Sequence, residues 1–198
     1  MESRSELAYR DLFNFIRRIV PELDPDFIMS DFETAQLNAF VEDFPRARLS
    51  GCLWHYARAV CRNVRSLGLH AFLRDSEIAR RIVRHCLAVP LAPPGWLLEA
   101  LNAVITEACR LDLQDQFRAE MCNGWAGSTR WLSKLCYLGA RPDPDLFNYL
   151  RVTWIEGVGE RVLCVFGVRH RTNNVAEAHH RNLNSRVVRR PNVWRFIG

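Results

Sequence analysis

The sequence predicts an α/β fold that is interrupted by a long helical stretch. Two observations carry this prediction: helical and strand-like patterns alternate over the first sixty residues, and only helical periodicity follows from about 74 to 150. A third observation, a basic segment at the C-terminus, predicts one more helix after that stretch. The length of 198 residues and the 48% hydrophobic share suit a globular chain with a substantial core.

The N-terminal elements follow from residue spacing and from their boundaries. Residues 6–20 place apolar side chains at helical spacing with arginines opposite, and Pro21 limits that helix. The short apolar run DPDFIMSDF predicts a strand that ends near Asp31. Residues 33–44 predict a second amphipathic helix. Residues 47–57 are rich in large apolar side chains and predict a second strand.

The middle of the chain predicts helices separated in places by proline or glycine clusters. The helical segments are SEIARRIVRHCLAV, PGWLLEALNAVITEACRL, FRAEMCNGWAGSTRWLSKLCYL and DPDLFNYLRVTW. After them, GVGERVLCVFGVRHR predicts a hairpin or a strand that enters a last helix, from near Asn174 to about Arg189. These patterns predict a core in residues 1–57, a helical insertion in 58–155, and a returning strand with a basic helix in 156–198.

Charge is distributed unevenly along the chain. Residues 161–198 contain eight arginines and one acid, a charge of +7, whereas the rest of the chain sums to −2. Arginine offers forked donors to phosphate oxygens, so a basic tail of this kind fits nucleic acid. Arginine is frequent throughout the chain, however, and a compositional bias with a solvated tail explains the pattern equally well.

Cysteines and hydropathy indicate the compartment. The seven cysteines are scattered and form no CxxC pair, which suits reduced, mostly buried thiols in an intracellular protein. No apolar stretch is long enough to span a bilayer, and the N-terminus lacks the hydrophobic core of a secretory signal.

Four short motifs occur in sequence along the chain. Asp31 lies in the run SDFETAQLNAF, an FP pair follows at 44–45, Cys52-x-x-His55 continues into AVCRNVRSLGL, and RTNNVAEAHH carries Glu177. Each motif alone is weak. In this order the chain resembles a Mutator-like (MULE) transposase, from about residue 8 to the C-terminus.

The resemblance implies a ribonuclease H-like core with a triad of acids, two aspartates and a glutamate. Asp31 would be the second acid and Glu177 the third, together holding Mg²⁺ or Mn²⁺ in a two-metal site. Such a pair of ions activates a water or a 3′-hydroxyl and stabilises the leaving oxygen of a phosphodiester. DNA is the implied partner and the nucleus the implied location. Residues that would contact the DNA are Arg171, Asn174, His180, Arg181, Arg186, Arg189 and Arg190.

Both acids also have a structural interpretation. Ser30-x-x-Glu33 and Asn174-x-x-Glu177 fit capping boxes, in which the later Glu accepts from the N–H of the cap residue. Asp31 could favour a helix N-terminus electrostatically. Spacing alone favours capping for Glu177, whereas the RTNNVAEAHH context favours the third acid.

The Cys52-x-x-His55 motif supplies half of a zinc site at most. On a strand, side chains three residues apart face opposite sides, so we expect the pair to support the site or the fold rather than chelate a metal together. Trp54, Trp125, Trp131, Trp154 and Trp194 are expected to pack in the core or the insertion rather than to stack on bases.

The first acid of such a triad is expected on a strand upstream of Asp31, and no acid before Asp31 lies in a strand-like run. The sequence therefore predicts a partial ribonuclease H-like core that lacks its first strands. Its strand at 27–32 would expose a backbone edge and an apolar face, which a second copy of the chain or an N-terminal region would cover.

Three functional hypotheses follow. The first is a fragment of a MULE-type DNA transposase that retains part of its DNA binding and has lost strand transfer, so its status as an enzyme is open. The second is a domesticated, non-catalytic host protein that binds DNA or protein. The third is a helical interaction protein, in which Asp31 and Glu177 would lie far apart.

Overall fold

A computed structural model describes residues 5–113, 117, 145–174, 176–178 and 182. The described α-helices, in chain order, are α1 Glu6–Ile19, α2 Thr34–Asp43, α3 Leu53–Ser66, α4 His70–Asp75, α5 Glu77–Ala88, α6 Leu97–Arg110, α7 Leu146–Tyr149 and α8 Glu160–Leu163. The described strands are β1 Phe27–Ser30 and β2 Arg48–Gly51. A 3₁₀ turn, Val89–Leu91, follows α5, and a π-helix, Leu150–Gly159, joins α7 to α8. The described part of the chain is thus mostly helical with a small sheet.

The two strands form a parallel pair with α2 as the crossover. Their register pairs Phe27 with Arg48 and Ser30 with Gly51, so both strands end at the same edge. A small apolar cluster of α1, α2 and the loop before β2 holds the unit together, with Phe13 stacked on Phe40 at 4.8 Å between ring centroids. The alternation of helix and strand expected in this region is therefore confirmed, while a complete ribonuclease H-like core is not visible in the described residues.

A second, larger core joins α3 to α8, and we call this part the helical body. Residue spacing explains how it forms: α5 buries Ala79, Ile82, Val83 and Cys86, three or four residues apart along one face. The helices predicted over 76–89 and 94–111 are confirmed as α5 and α6.

The π-helix and α8 connect the helical body to the C-terminal segment. Gly159 ends the π-helix with a positive φ of 86°, a conformation that favours glycine. The next residue, Glu160, accepts hydrogen bonds from the N–H groups of Gly95, Leu97 and Leu98 at 3.1–3.3 Å. Its carboxylate therefore caps the N-terminus of α6, 62 or more residues earlier in the chain.

Two predicted strands need correction. The strand expected over 47–57 ends at Gly51, because Cys52 turns the chain and α3 begins at Leu53. The hairpin or returning strand expected over 157–171 is also wrong, since the π-helix and α8 run to Leu163 and no residue from 164 to 171 pairs as a strand. The domain boundaries remain predictions, and α3 crosses the one placed at 57/58.

One capping box is also wrong. Glu33, not Ser30, occupies the N-cap position of α2, and Ser30 Oγ instead donates to Gln36 Oε1 at 2.7 Å. Ser30 is buried, so this hydrogen bond satisfies a polar side chain at the end of β1.

Apolar side chains remain exposed on α1. Leu12, Phe15 and Ile19 lie on one face at helical spacing, and Phe15 and Ile19 are 58% and 65% exposed. The opposite face packs on α2 through Phe13. No helix in the described part of the chain is both long enough and apolar enough to cross a membrane.

Candidate functional site at the ends of the parallel strands

The site begins where β1 and β2 end. Asp31 follows the last residue of β1, and Cys52 follows the last residue of β2 and precedes α3. The N–H of Cys52 donates to the C=O of Ser30 at 2.9 Å, which extends the parallel pairing by one residue. Because parallel strands carry these residues to one edge, Asp31 and the first turn of α3 lie side by side. We call this region the acid edge.

Close packing fixes the end of β1 against the helical body. A Cβ at Gly51 would lie 2.2 Å from the ring of Phe32, so only glycine leaves room for that ring. Phe32 in turn makes an edge-to-face contact with Trp154 of the π-helix at 4.7 Å between centroids. Since Phe32 directly follows Asp31, these contacts hold the backbone that carries the acid.

The C-terminal segment docks on the same edge through backbone and side-chain hydrogen bonds. The N–H of Leu53 donates to the C=O of Arg171 at 2.9 Å. Asn173 then bridges both strand ends: its Nδ2 donates to Asp31 Oδ1 at 2.9 Å, and its Oδ1 accepts from the Cys52 thiol at 3.2 Å. This docking brings the start of the last described helix, which carries Glu177, to the acid edge.

His55 lies between the two acids. Its Nδ1 is 3.0 Å from Asp31 Oδ1, and its Nε2 is 4.0 Å from Glu177 Oε1. The shorter contact has ion-pair distance without hydrogen-bond geometry, so the buried Nδ1 has no hydrogen-bond partner. The two carboxylates, 146 positions apart in sequence, therefore each approach a different nitrogen of one imidazole ring.

This arrangement fits a hard cation in part. The donor atoms are suitable, since carboxylate oxygens are preferred by Mg²⁺ and Mn²⁺, and both acids are open to water, with Asp31 47% and Glu177 40% exposed. The ring of His55, however, lies between them, and no group of three or more His, Cys, Asp or Glu side chains within the described ranges is placed to hold a metal ion. The described residues alone thus do not form a metal centre.

The structure brings four of the predicted residues together: Asp31, Cys52, His55 and Glu177. Asn174 begins the last described helix and is exposed, whereas the side chain of Arg171 donates to the C=O of Val168 at 3.3 Å. The other residues predicted to contact DNA, His180, Arg181, Arg186, Arg189 and Arg190, lie outside the described residues.

Sequence reasoning missed three features of the site. Asn173 was part of a conspicuous Asn-Asn pair, but nothing in the pattern predicted that it would join Asp31 to Cys52. The predicted strand over 47–57 wrongly placed Cys52 and His55 on opposite faces; at a helix start both reach the acid edge. Trp54 is 50% exposed rather than packed, whereas Trp154 is buried as expected, and Trp125, Trp131 and Trp194 lie outside the described residues.

Comparison with known families supports the interpretation of the N-terminal part. Residues 1–59 match the family described as the MULE transposase domain, which confirms the resemblance over this range. The matched range covers α1 to the first half of α3, including Asp31, Cys52 and His55, and leaves Glu177 outside. Neither a search of curated proteins nor a search of solved structures found a significant match.

Proposed function

We propose that this chain, whose residues 1–59 match the MULE transposase domain, is part of a transposase catalytic domain that acts on DNA in the nucleus. In this proposal Asp31 and Glu177 are the second and third acids of a DDE-type site. The described residues supply two of the three acids, because the described acids before Asp31 lie on α1 or in the loop after it. Strand cleavage and transfer would then need a third acid that the described residues do not supply.

The observation that carries the proposal is the meeting of Asp31 and Glu177 at His55. Asp31 and Glu177 are 146 positions apart in the sequence, so they meet at the ring of His55 only because the fold brings both segments there. A helical interaction protein has no need of this arrangement. The hydrogen bonds of Asn173 with Asp31 and Cys52 support the proposal further, since they hold the half-exposed carboxylate of Asp31 in position.

Mg²⁺ or Mn²⁺ is the cofactor that the proposal requires, and it would polarise the phosphodiester and lower the pKa of the attacking water. The chain's own residues have simpler roles. Asp31 and Glu177 supply negative oxygens, Asn173 fixes one of those oxygens, and His55 occupies the space between them. When a metal ion is bound, we expect the side chain of His55 to rotate away from the space between the two acids, or a further acid to complete the set of metal ligands.

The test is a Mn²⁺ titration of the full chain followed by electron paramagnetic resonance. We expect weak binding that falls by about tenfold or more in Asp31→Asn and in Glu177→Gln, as when other groups that support a metal site are removed. Asp75→Asn and Glu99→Gln, which remove exposed acids elsewhere, serve as matched controls. If the site variants bind Mn²⁺ as the wild type does, the metal role of the two acids is wrong.

One observation favours a second candidate, a domesticated host protein that binds DNA without cleaving it. The acids flank His55 instead of sharing an open centre, an arrangement that serves structure as well as chemistry. A nicking assay of the full chain on terminal-repeat DNA with Mn²⁺ separates the two candidates. Nicking that Asp31→Asn abolishes supports the transposase, and intact DNA supports the host protein.

A further inference from the structure

One face of α3 carries a stripe of exposed side chains that the site does not use. Its members, Trp54, Arg58, Arg62 and Arg65, are all exposed. They follow one another at three or four residues, so they lie on one face of the 14-residue helix, with neighbours about 5–6 Å apart. The opposite face of α3 packs into the helical body through Tyr56 and Val60.

Among the described residues, the arginines of this stripe have no acidic partners. No carboxylate in the described part of the chain forms an ion pair with Arg58, Arg62 or Arg65. The arginines of α5 provide the contrast: Arg80 and Arg84 pair with Glu77 at 2.7 and 2.5 Å, and Arg81 pairs with Glu107 at 3.0 Å. Arginine is frequent in both helices, but among the described residues each arginine of α5 has an acidic partner, whereas three arginines of α3 have none.

The stripe starts at the acid edge. Trp54 is the neighbour of His55 in the first turn of α3, and Arg65 lies eleven residues further, about 16 Å along the helix axis. A DNA strand whose phosphates lie along these arginines would therefore end beside Asp31 and Glu177. Half-exposed Trp54 offers a ring face at that end, and such a face suits an unpaired base.

We propose that this face of α3 is a binding track for single-stranded DNA, with Trp54 stacking on a base next to the acid edge and Arg58, Arg62 and Arg65 contacting the phosphates. The proposal rests on the DNA-directed function above and adds a surface to it. The positive charge of arginines that no described acid pairs with attracts the phosphate backbone of DNA. The ring of Trp54 distinguishes single-stranded DNA from a duplex, because the bases of a duplex are already stacked on one another.

The test measures binding of a fluorescent oligonucleotide to the full chain by anisotropy, in EDTA and over a series of salt concentrations. The variant R58Q/R62Q/R65Q removes three positive charges from the track, and R80Q/R81Q/R84Q removes the same number from α5. We expect the track variant to reduce the slope of log K against log salt by about 2, as three lost contacts to a single strand predict. The α5 variant should change the slope by far less.

Trp54 gives an independent measurement. We expect Trp54→Ala to weaken single-stranded DNA by roughly tenfold, Trp54→Phe to weaken it less, and neither to change duplex binding comparably. Equal losses in the track and α5 variants, or a Trp54→Ala variant that binds as the wild type does, would overturn the track.

The control arms also separate the track from the proposed function. A wild type that binds DNA while the track variant loses nothing overturns the track alone, because the DNA-directed function still stands. A wild type that binds neither single-stranded nor duplex DNA overturns both.

Discussion

The helical body and the acid edge are held together by different forces. The helical body surrounds a dry core that includes Ile82, Leu97, Leu101 and Leu163, each essentially inaccessible to water. The acid edge is joined by a few polar contacts, and its acids are 40–47% exposed. Burial therefore supplies most of the stability in the helical body, whereas the acid edge contributes little and depends on the body for its position.

The contact between Phe32 and Trp154 links the two regions. Trp154 also meets Tyr56 edge to face at 4.9 Å, so the ring beside Asp31 is packed against the same tryptophan as the core of α3. Changes in the helical body should thus alter global stability, and changes at the acid edge should alter local order. The first three predictions below test that difference, and the fourth concerns α1, which belongs to neither region.

The largest effect is expected in the helical body at alkaline pH. Burial raises the pKa of the Cys86 thiol to about 12 and raises that of Tyr56 well above 10. Both groups are neutral in the folded protein. The stability that depends on the neutral Cys86 thiol is fully present below pH 9 and is lost as pH rises from 9 towards 12, and the loss from Tyr56 begins only above pH 10. For Cys86 this loss is on the order of 3–4 kcal/mol.

Urea unfolding between pH 8 and 11 measures this loss. Cys86→Ala removes the thiol and should flatten the dependence of the unfolding free energy on pH, even though its cavity lowers stability at every pH. Cys109→Ala, at an exposed position, should keep the wild-type slope. An unchanged slope in Cys86→Ala would show that the buried thiol does not govern alkaline stability.

A smaller loss is expected where the two regions meet. Gly51→Ala places a methyl group 2.2 Å from the ring of Phe32, so the ring must move, at a cost of about 1–3 kcal/mol. Thermal unfolding followed by circular dichroism measures that cost. The double variant G51A/F32L, which has a smaller side chain opposite, should recover part of it, and a fully stable Gly51→Ala would refute the contact.

Asn173→Ala is expected to cost less, about 1 kcal/mol, because it removes two half-buried hydrogen bonds at the acid edge. Its effect should be local. Hydrogen exchange should show faster exchange in residues 171–178 and no change in α5 or α6. Asn102→Ala, which removes an exposed hydrogen bond with Arg151, should leave residues 171–178 unchanged.

The smallest effect on stability is expected on α1. Phe15 and Ile19 are largely exposed, so Phe15→Glu with Ile19→Lys should change the unfolding free energy by less than about 0.5 kcal/mol. The same variant should reduce self-association, because it interrupts an apolar face. Light scattering measures the change. Val152→Lys, an exposed apolar position on the π-helix, is the matched control.

The sequence predicted α1, β1, α2 and α5 because each carries a regular apolar period and a clear boundary. It mispredicted residues 53–57 because Trp54 and Tyr56 favour strands by composition, while Gly51 and Cys52 end the strand and let α3 begin. The π-helix could not be predicted from the sequence either. Its ten residues were predicted as the end of a helix followed by a hairpin, and no local sequence pattern indicates the wider hydrogen-bond spacing of a π-helix.

The acid edge was predicted as a set of residues but not as a geometry. Asp31, Cys52, His55 and Glu177 each stood in a motif, so their meeting could be expected. The roles of Phe32 and Asn173 could not, because both depend on contacts across the chain, to Trp154 in one case and to Asp31 in the other.

The central claim, that two distant acids flank His55, is tested most directly by NMR of the chain labelled with ¹⁵N-histidine. The ring signals of His55, identified by their loss in His55→Gln, should shift in both Asp31→Asn and Glu177→Gln. Glu107→Gln removes a carboxylate that interacts electrostatically with His85, so it should shift the His85 signals and leave those of His55 unchanged. A His55 signal that does not respond to Glu177→Gln would contradict the account.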